Sequence, residues 1–219
     1  MNLFFRKKYP EFWQKYAATF KEKIPSLYQE IRFVIFDTET TGLDFKKDKI
    51  LSMGAVAVLN SSIWVADSFE CFVHQTTFDR KTVEIHGIRK EGIHKISEEK
   101  AIQEFLDFIK NAVLVGHHID FDVQMMNIAL KNLGLPTLKN TTLDTGNLHK
   151  KTMIDATDAH FSLDELLEIY NIAPHDRHNS LGDAFLTAQL FLKIIKKLSK
   201  NNTLSIAYLK RPAKRIGLI

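Results

Sequence analysis

The sequence predicts an α/β domain, a mixed β-sheet with helices packed on its faces. Three observations carry that expectation. The run FVIF (33–36) within IRFVIFD is short, β-rich and continuously apolar, as a central strand covered on both faces should be. KILSMGAVAVLN and IWVADSFECFVH are joined through an Asn-Ser-Ser turn and read as a hairpin. From Ser97 onward helical and strand patterns alternate, which lays helices against a sheet.

Taken in order, the first element is a helix from Pro10 to about Phe20. Phe12, Tyr16 and Phe20 fall on one face and Trp13 widens the stripe. It is expected to lie against the main domain. Its basic flank (Arg6, Lys7, Lys8) is a solvated face or a contact for nucleic acid. After the three strands, SEEKAIQEFLDFIK starts a helix with Ser97 as N-cap and acids in its first turn. AVLVGHH reads as a second buried strand, and FDVQMMNIALKNLGLP as a helix stopped by Gly134 and Pro136. Asp120 is the expected N-cap of that helix, which leaves Asp122 free for other work. TTLDT is a further strand, FSLDELLEIYNI a helix from about Ser162, and NSLGDAFLTAQLFLKIIKKL the long last one. The expected organisation is a helical extension (1–30), one domain (31–200) and a tail (201–219).

Composition excludes several classes. The chain has 219 residues, 45% hydrophobic and 26% charged, with nine Gly and five Pro, so it is neither disordered nor fibrous. Its formal charge of +4 is compatible with a polyanionic partner without arguing for one. Cys71 is the only cysteine, so no intramolecular disulfide or cysteine-based metal site can form, and its expected role is packing. No apolar run approaches a membrane span, and the N-terminal charges follow the apolar residues, the reverse of a secretory signal. A cytoplasmic protein without a membrane partner is the expectation.

FDTETTG then raises a chemical question. Asp37 and Glu39 stand two apart at the carboxyl end of a buried strand, so both project to one face. Carboxylates that close repel, and a divalent cation is the usual remedy, although a solvated pair is the commoner outcome for an isolated Asp-x-Glu. Asp122 follows the second buried strand, where a helix-start acid is the simpler account. His178 and Asp183 would diverge by about 140° on one helix. They converge only if His178 lies in the loop before the helix, capped by Asn179 or Ser180, and Asp183 on its inward face.

FDTETTGLD, HxxxFD with Asp122 and HxxxxDA with His178 and Asp183 resemble the three motifs of the DnaQ-like, DEDDh-type 3′–5′ exonucleases. That family includes the proofreading epsilon subunit of bacterial DNA polymerase III. EIHGI, TLDTGNL and SLDELLEIYNI are similar too, and the resemblance spans roughly residues 31–200. It implies a ribonuclease H-like fold, a five-stranded mixed sheet flanked by helices, to which the N-terminal helix is added.

The resemblance further implies two divalent cations, Mg²⁺ or Mn²⁺, held by Asp37, Glu39, Asp122 and Asp183, with Asp37 bridging and His178 as general base. Thr40, Thr41, Gly42 and Leu43 would hold the 3′-terminal nucleotide, Leu43 lying on its base. His86 and Phe121 are expected to line the same pocket, with a plain β-turn and core packing as the alternatives for Gly42 and Phe121. His118 stands where relatives commonly carry Asn, which bears on substrate preference. The substrate expectation is single-stranded or frayed 3′ ends of DNA, with RNA ends as the alternative. A polymerase partner is implied by the family but not supported by the short C-terminus. The competing reading from another class is a catalytically inert nucleic-acid-binding module.

Overall fold

The computed structural model describes residues 8–76, 83–84, 86–88, 94–152, 160–200 and 204–212. Arg6, Lys7 and the tail beyond residue 212 lie outside them. Five strands, β1 (Phe33–Thr40), β2 (Ile50–Leu59), β3 (Ser62–Phe72), β4 (Val113–Gly116) and β5 (Thr142–Asp144), form one sheet in the order β3-β2-β1-β4-β5. β1 pairs antiparallel with β2 and parallel with β4, so the sheet is mixed and β1 is its middle strand. The β2–β3 hairpin turns at Asn60 and Ser61, both at positive φ, the pairing that matches strand twist in two-residue turns.

Strand alternation divides the core in two. Val34 and Phe36 pack with α1 (Glu11–Thr19), α2 (Glu98–Ile109) and α3 (Ile119–Asn132). Phe33 and Ile35 pack on the other face with α5 (Leu163–Ile169) and α6 (Ser180–Ser199). Aromatic pairs lock each side: Phe36 lies 5.3 Å from Phe105, and Phe33 lies 5.0 Å from Phe191. Trp13 and Tyr16 of α1 are buried in the first of these cores. The Tyr16 hydroxyl donates to Asn140 Oδ1 at 2.6 Å and accepts from Lys139 N–H at 2.8 Å. Cys71 is buried in the same layer.

The helix ends follow local chemistry. Ser97 caps α2 by accepting from Lys100 N–H, and Ser162 and Glu165 form a reciprocal capping box on α5. Gly134, at φ +71°, ends α3 with Gly134 N–H on Lys131 O and Leu135 N–H on Leu130 O. One expectation is corrected here. Asp120 is not the N-cap of α3; the helix starts two residues earlier, from His118 in the left-handed region (φ +57°). β5 also ends sooner than TTLDT implies. Asp144 takes the N–H of Asn147 and caps a short helix, α4 (Thr145–Lys150), which the strand-like composition concealed. The last described helix is α7 (Ile206–Lys210), and Lys151 Nζ donates to its Tyr208 and Leu209 carbonyls. No helix among the described residues is long and apolar enough to cross a membrane.

The start of α6 is seated directly on β2. A Cβ on Gly54, which pairs with Asp37, would lie 2.1 Å from Leu181 N, and Ser52 Oγ meets Ser180 Oγ at 3.0 Å. Backbone rather than a flexible side chain fills that space. Gly54→Ala is therefore expected to destabilise by about 1–3 kcal/mol, the scale of an overpacked core. It should lower the urea midpoint with little change in m; an unchanged midpoint would show that the helix start yields freely.

Candidate active site

The two-residue period of β1 sorts its carboxyl end as it sorts its core. Asp37 and Glu39 follow Phe33 and Ile35 onto the α6 face, and Thr38 follows Val34 and Phe36 onto the α3 face. Asp183, in the first turn of α6, meets the pair there. Asp37, Glu39 and Asp183 each offer a carboxylate oxygen, all within 4.8 Å of one another. Thr38 turns instead to Asp122 on α3: its N–H and hydroxyl both donate to Asp122 Oδ1, at 3.0 and 2.7 Å.

This concentration of acid is under-compensated. Burial, then Asp122, Glu39 and Asp183, push the Asp37 carboxyl well above the ordinary range, and Arg177 offsets this only in part. Burial followed by Asp183 and Asp122 raises Glu39 to about 7. Asp122 is raised to about 7 by burial, against the opposing pull of its Thr38 bonds. Clustered oxygens whose ionisation is penalised are what a hard divalent cation relieves, so the residues present fit one.

The loop before α6 wraps the Asp183 carboxylate. Asp176 and His178 both sit at positive φ (47° and 62°), and Asn179 caps the helix by accepting from Gly182 N–H at 2.9 Å. A Cβ on Gly182 would lie 2.2 Å from Asp176 O, so glycine lets the loop fold back on the helix start. His178 N–H donates to Asp183 Oδ2 at 3.1 Å, and Arg177 Nη1 donates to Asp183 Oδ1. His178 thus occupies the loop position that its convergence with Asp183 requires. It lines a cavity of about 730 Å³ with His86, Val56 and Phe185.

Beyond Glu39 the chain makes a tight turn. Thr40 Oγ1 donates to Gly42 O at 2.8 Å, Thr41 Oγ1 donates to Asp48 Oδ1 at 2.8 Å, and Asp48 Oδ2 accepts from Asp44 N–H at 2.8 Å. Asp48 lies so close over the turn that a Cβ on Gly42 would fall 2.5 Å from its Oδ2. Leu43 is 79% exposed, an apolar side chain in solvent on the turn that follows β1. Phe121 packs on Phe45 at 5.4 Å and, with His118, lines a separate cavity of about 280 Å³. His86 and Phe121 are therefore not brought to one cavity: the first lies on the α6 side of the sheet and the second on α3. His118 holds the left-handed conformation at the head of α3, which Asn and His adopt more readily than most residues. Backbone geometry is thus a sufficient reason for either residue at that position.

Residues 34–191 match the family described as RNase_T, Exonuclease. The chain belongs to the exonuclease family. The DNA polymerase III PolC-type protein of Caldanaerobacter subterraneus subsp. tengcongensis is 36% identical over 180 residues, which cover 81% of this chain but only 12% of that relative. DNA polymerase III subunit epsilon of Aquifex aeolicus is 29% identical over 168 residues, covering 76% of this chain and 81% of the relative. Among solved structures, Exonuclease X in complex with 5′ overhanging duplex DNA has the same fold. Its TM-score is 0.61 at 20% identity, covering 82% of this chain and 98% of that one. The sheet order and flanking helices are those of a ribonuclease H-like exonuclease.

Several residues around the cluster escaped the sequence reading. Thr38 was legible in principle, because alternation turns it away from the acids on either side. Asp48 and Asp164 carry no local signal in the sequence of the contacts they make. His117 marks the second motif but was given no role; its Nδ1 lies 2.9 Å from Thr145 Oγ1, its Nε2 is buried, and burial lowers it to about 4.

The raised carboxyls set a pH dependence. Their protonated forms favour the metal-free fold, so that contribution is full below about 4, the unfolded value, and is lost as pH rises towards about 7 for Glu39 and Asp122. A divalent cation binds the ionised forms and reverses the loss. The rise in Tm on adding saturating Mn²⁺ should be larger at pH 8 than at pH 5.5, and Asp37→Asn should remove most of it. An increment equal at both pH values would count against a carboxylate-held cation.

Proposed function

We propose that this chain is a metal-dependent 3′–5′ exonuclease that shortens single-stranded or frayed 3′ ends of DNA and releases nucleoside 5′-monophosphates. The observation that carries the reading is the meeting of Asp37, Glu39 and Asp183, with ligand oxygens within 4.8 Å of one another, at the end of the central strand. Membership of the exonuclease family supports the reaction class. The polymerase III relatives support a place for it in proofreading or repair, and the Exonuclease X complex supports DNA as substrate.

Asp37, Glu39 and Asp183 would hold one Mg²⁺ or Mn²⁺, and Asp37 with Asp122, directly or through water, a second. Bound there, the cations supply Lewis-acid stabilisation to the attacking and leaving oxygens of an in-line displacement. The chain's own residues do the rest. His178, fixed through its N–H to Asp183, takes a proton from the attacking water at a ring nitrogen. As the water oxygen bonds to phosphorus, the bond to the 3′-oxygen of the preceding nucleotide breaks, and that oxygen takes a proton from solvent to leave as a hydroxyl. The Thr40–Leu43 turn, braced by Asp48, receives the terminal nucleotide, with exposed Leu43 against its base. Thr38 keeps Asp122 aimed at the cluster through two donated bonds.

The test uses 5′-labelled single-stranded DNA and RNA of one sequence with Mn²⁺ or Mg²⁺, resolved at single-nucleotide steps. A ladder descending from the 3′ end is expected, faster on DNA and absent with chelator or in Asp37→Ala. His178→Ala should lower turnover by roughly 10²–10⁴ while leaving Mn²⁺ affinity nearly unchanged. Wild-type turnover in Asp37→Ala would sink the metal assignment, and a faster ladder on RNA would move the substrate to RNA ends. Folded, metal-loaded protein that yields no ladder on either strand would be a binding module.

A further inference from the structure

Three carboxylates meet at the end of β1 and a fourth, Asp122, lies behind Thr38; among the described residues one side-chain cation forms an ion pair with any of them. Arg177 Nη1 donates to Asp183 Oδ1, while Nε and Nη2 grip Asp164 on α5 at 2.7 and 3.2 Å. Its side chain is 21% exposed, that of Asp183 8% and that of Asp164 64%. The guanidinium is thus shared between a buried acid inside the cluster and an accessible one outside it. His178 N–H holds the other Asp183 oxygen, so the loop engages both oxygens of that carboxylate.

A cation held by Asp37, Glu39 and Asp183 needs an Asp183 oxygen, and the two loop bonds are not equally releasable. The His178 bond comes from backbone set at positive φ and capped by Asn179. Arg177 can let go of Oδ1 and still keep both bonds to Asp164. We propose that Arg177 is the resident counter-cation of this site: it holds the acids and the His178 loop together before a metal enters, competes with the metal for Asp183, and withdraws onto Asp164 when the metal binds. Resting on the metal reading of the cluster, this makes Arg177 a positioning residue for His178 and a brake on metal affinity. Its charge should act on metal binding and its planar fork on loop geometry, so the two effects are separable.

The test is Mn²⁺ titration of metal-free full chain without nucleic acid, following free Mn²⁺ by electron paramagnetic resonance, alongside turnover on single-stranded DNA. Arg177→Ala removes a like charge beside the incoming cation and should bind Mn²⁺ on the order of tenfold more tightly. It should also turn over at least about tenfold more slowly, because the His178 loop loses its anchor. Asp164→Asn should shift affinity the opposite way, to weaker binding, since Arg177 then has only Asp183. Arg177→Lys should keep near-wild-type affinity and lose turnover, and it carries the test with Asp164→Asn if the alanine variant fails to fold. An ion pair with a purely structural role weakens metal binding in both variants; that result, or no change in either, overturns the inference. Asp37→Ala is the separate control: wild-type Mn²⁺ affinity there would overturn the metal reading itself.

Discussion

Because β1 is covered on both faces, its two-residue period leaves no freedom in where its side chains go. Phe33 and Ile35 must enter the layer beneath α6, and Val34 and Phe36 the layer beneath α3. Continuing the same count past Phe36 sends Asp37 and Glu39 towards α6 and Thr38 towards α3. A slip of one residue would turn the acids towards α3 and Phe36 towards α6, so the burial that stabilises the fold also fixes the polarity of the site. Gly54 and Ser52 extend this control to the neighbouring strand, since they set how closely α6 can approach.

The site is held at an electrostatic disadvantage by that scaffold. Three carboxylates face one another across the end of a strand and a fourth lies behind Thr38, and burial disfavours the charged forms of Asp37, Glu39 and Asp122. The fold tolerates this because each acid is tied to something rigid: two to β1, one to the first turn of α6, one to Thr38. The loop carrying Arg177 and His178 is built around the same acid that completes the cluster, so the proposed proton acceptor and the proposed metal ligands share one support.

FVIFDTETTG disclosed both the central strand and its acid pair, since continuous apolarity and i, i+2 spacing are local properties. His178 and Asp183 were legible for a related reason: five residues cannot face one way on a helix, so a loop had to intervene. Features that depend on distant chain were not legible. Asp48 gives no local sign that it will brace the turn at Gly42, and Asp164 none that it will share Arg177. Asp120 was misread because cap preference favours an acid, whereas the left-handed backbone at His118 starts the helix without a side-chain cap. His86 and Phe121 looked like neighbours, but they line different cavities, one beside β2 and the start of α6, the other between α3 and α4.

The seat of α6 on Gly54 also governs when the molecule becomes chemically competent. Asp37 and Glu39 come from the first strand and Asp183 from the last long helix, so no local contact can assemble them. Pairings between such distant segments carry a closure cost that local elements do not, and they slow the folding of topologies built on them. A chain emerging from synthesis holds the first two acids long before the third can dock over β2. In the proposed chemistry, a partly folded copy would therefore lack a working metal site, and nucleic acid nearby would be safe from it until the sheet was complete.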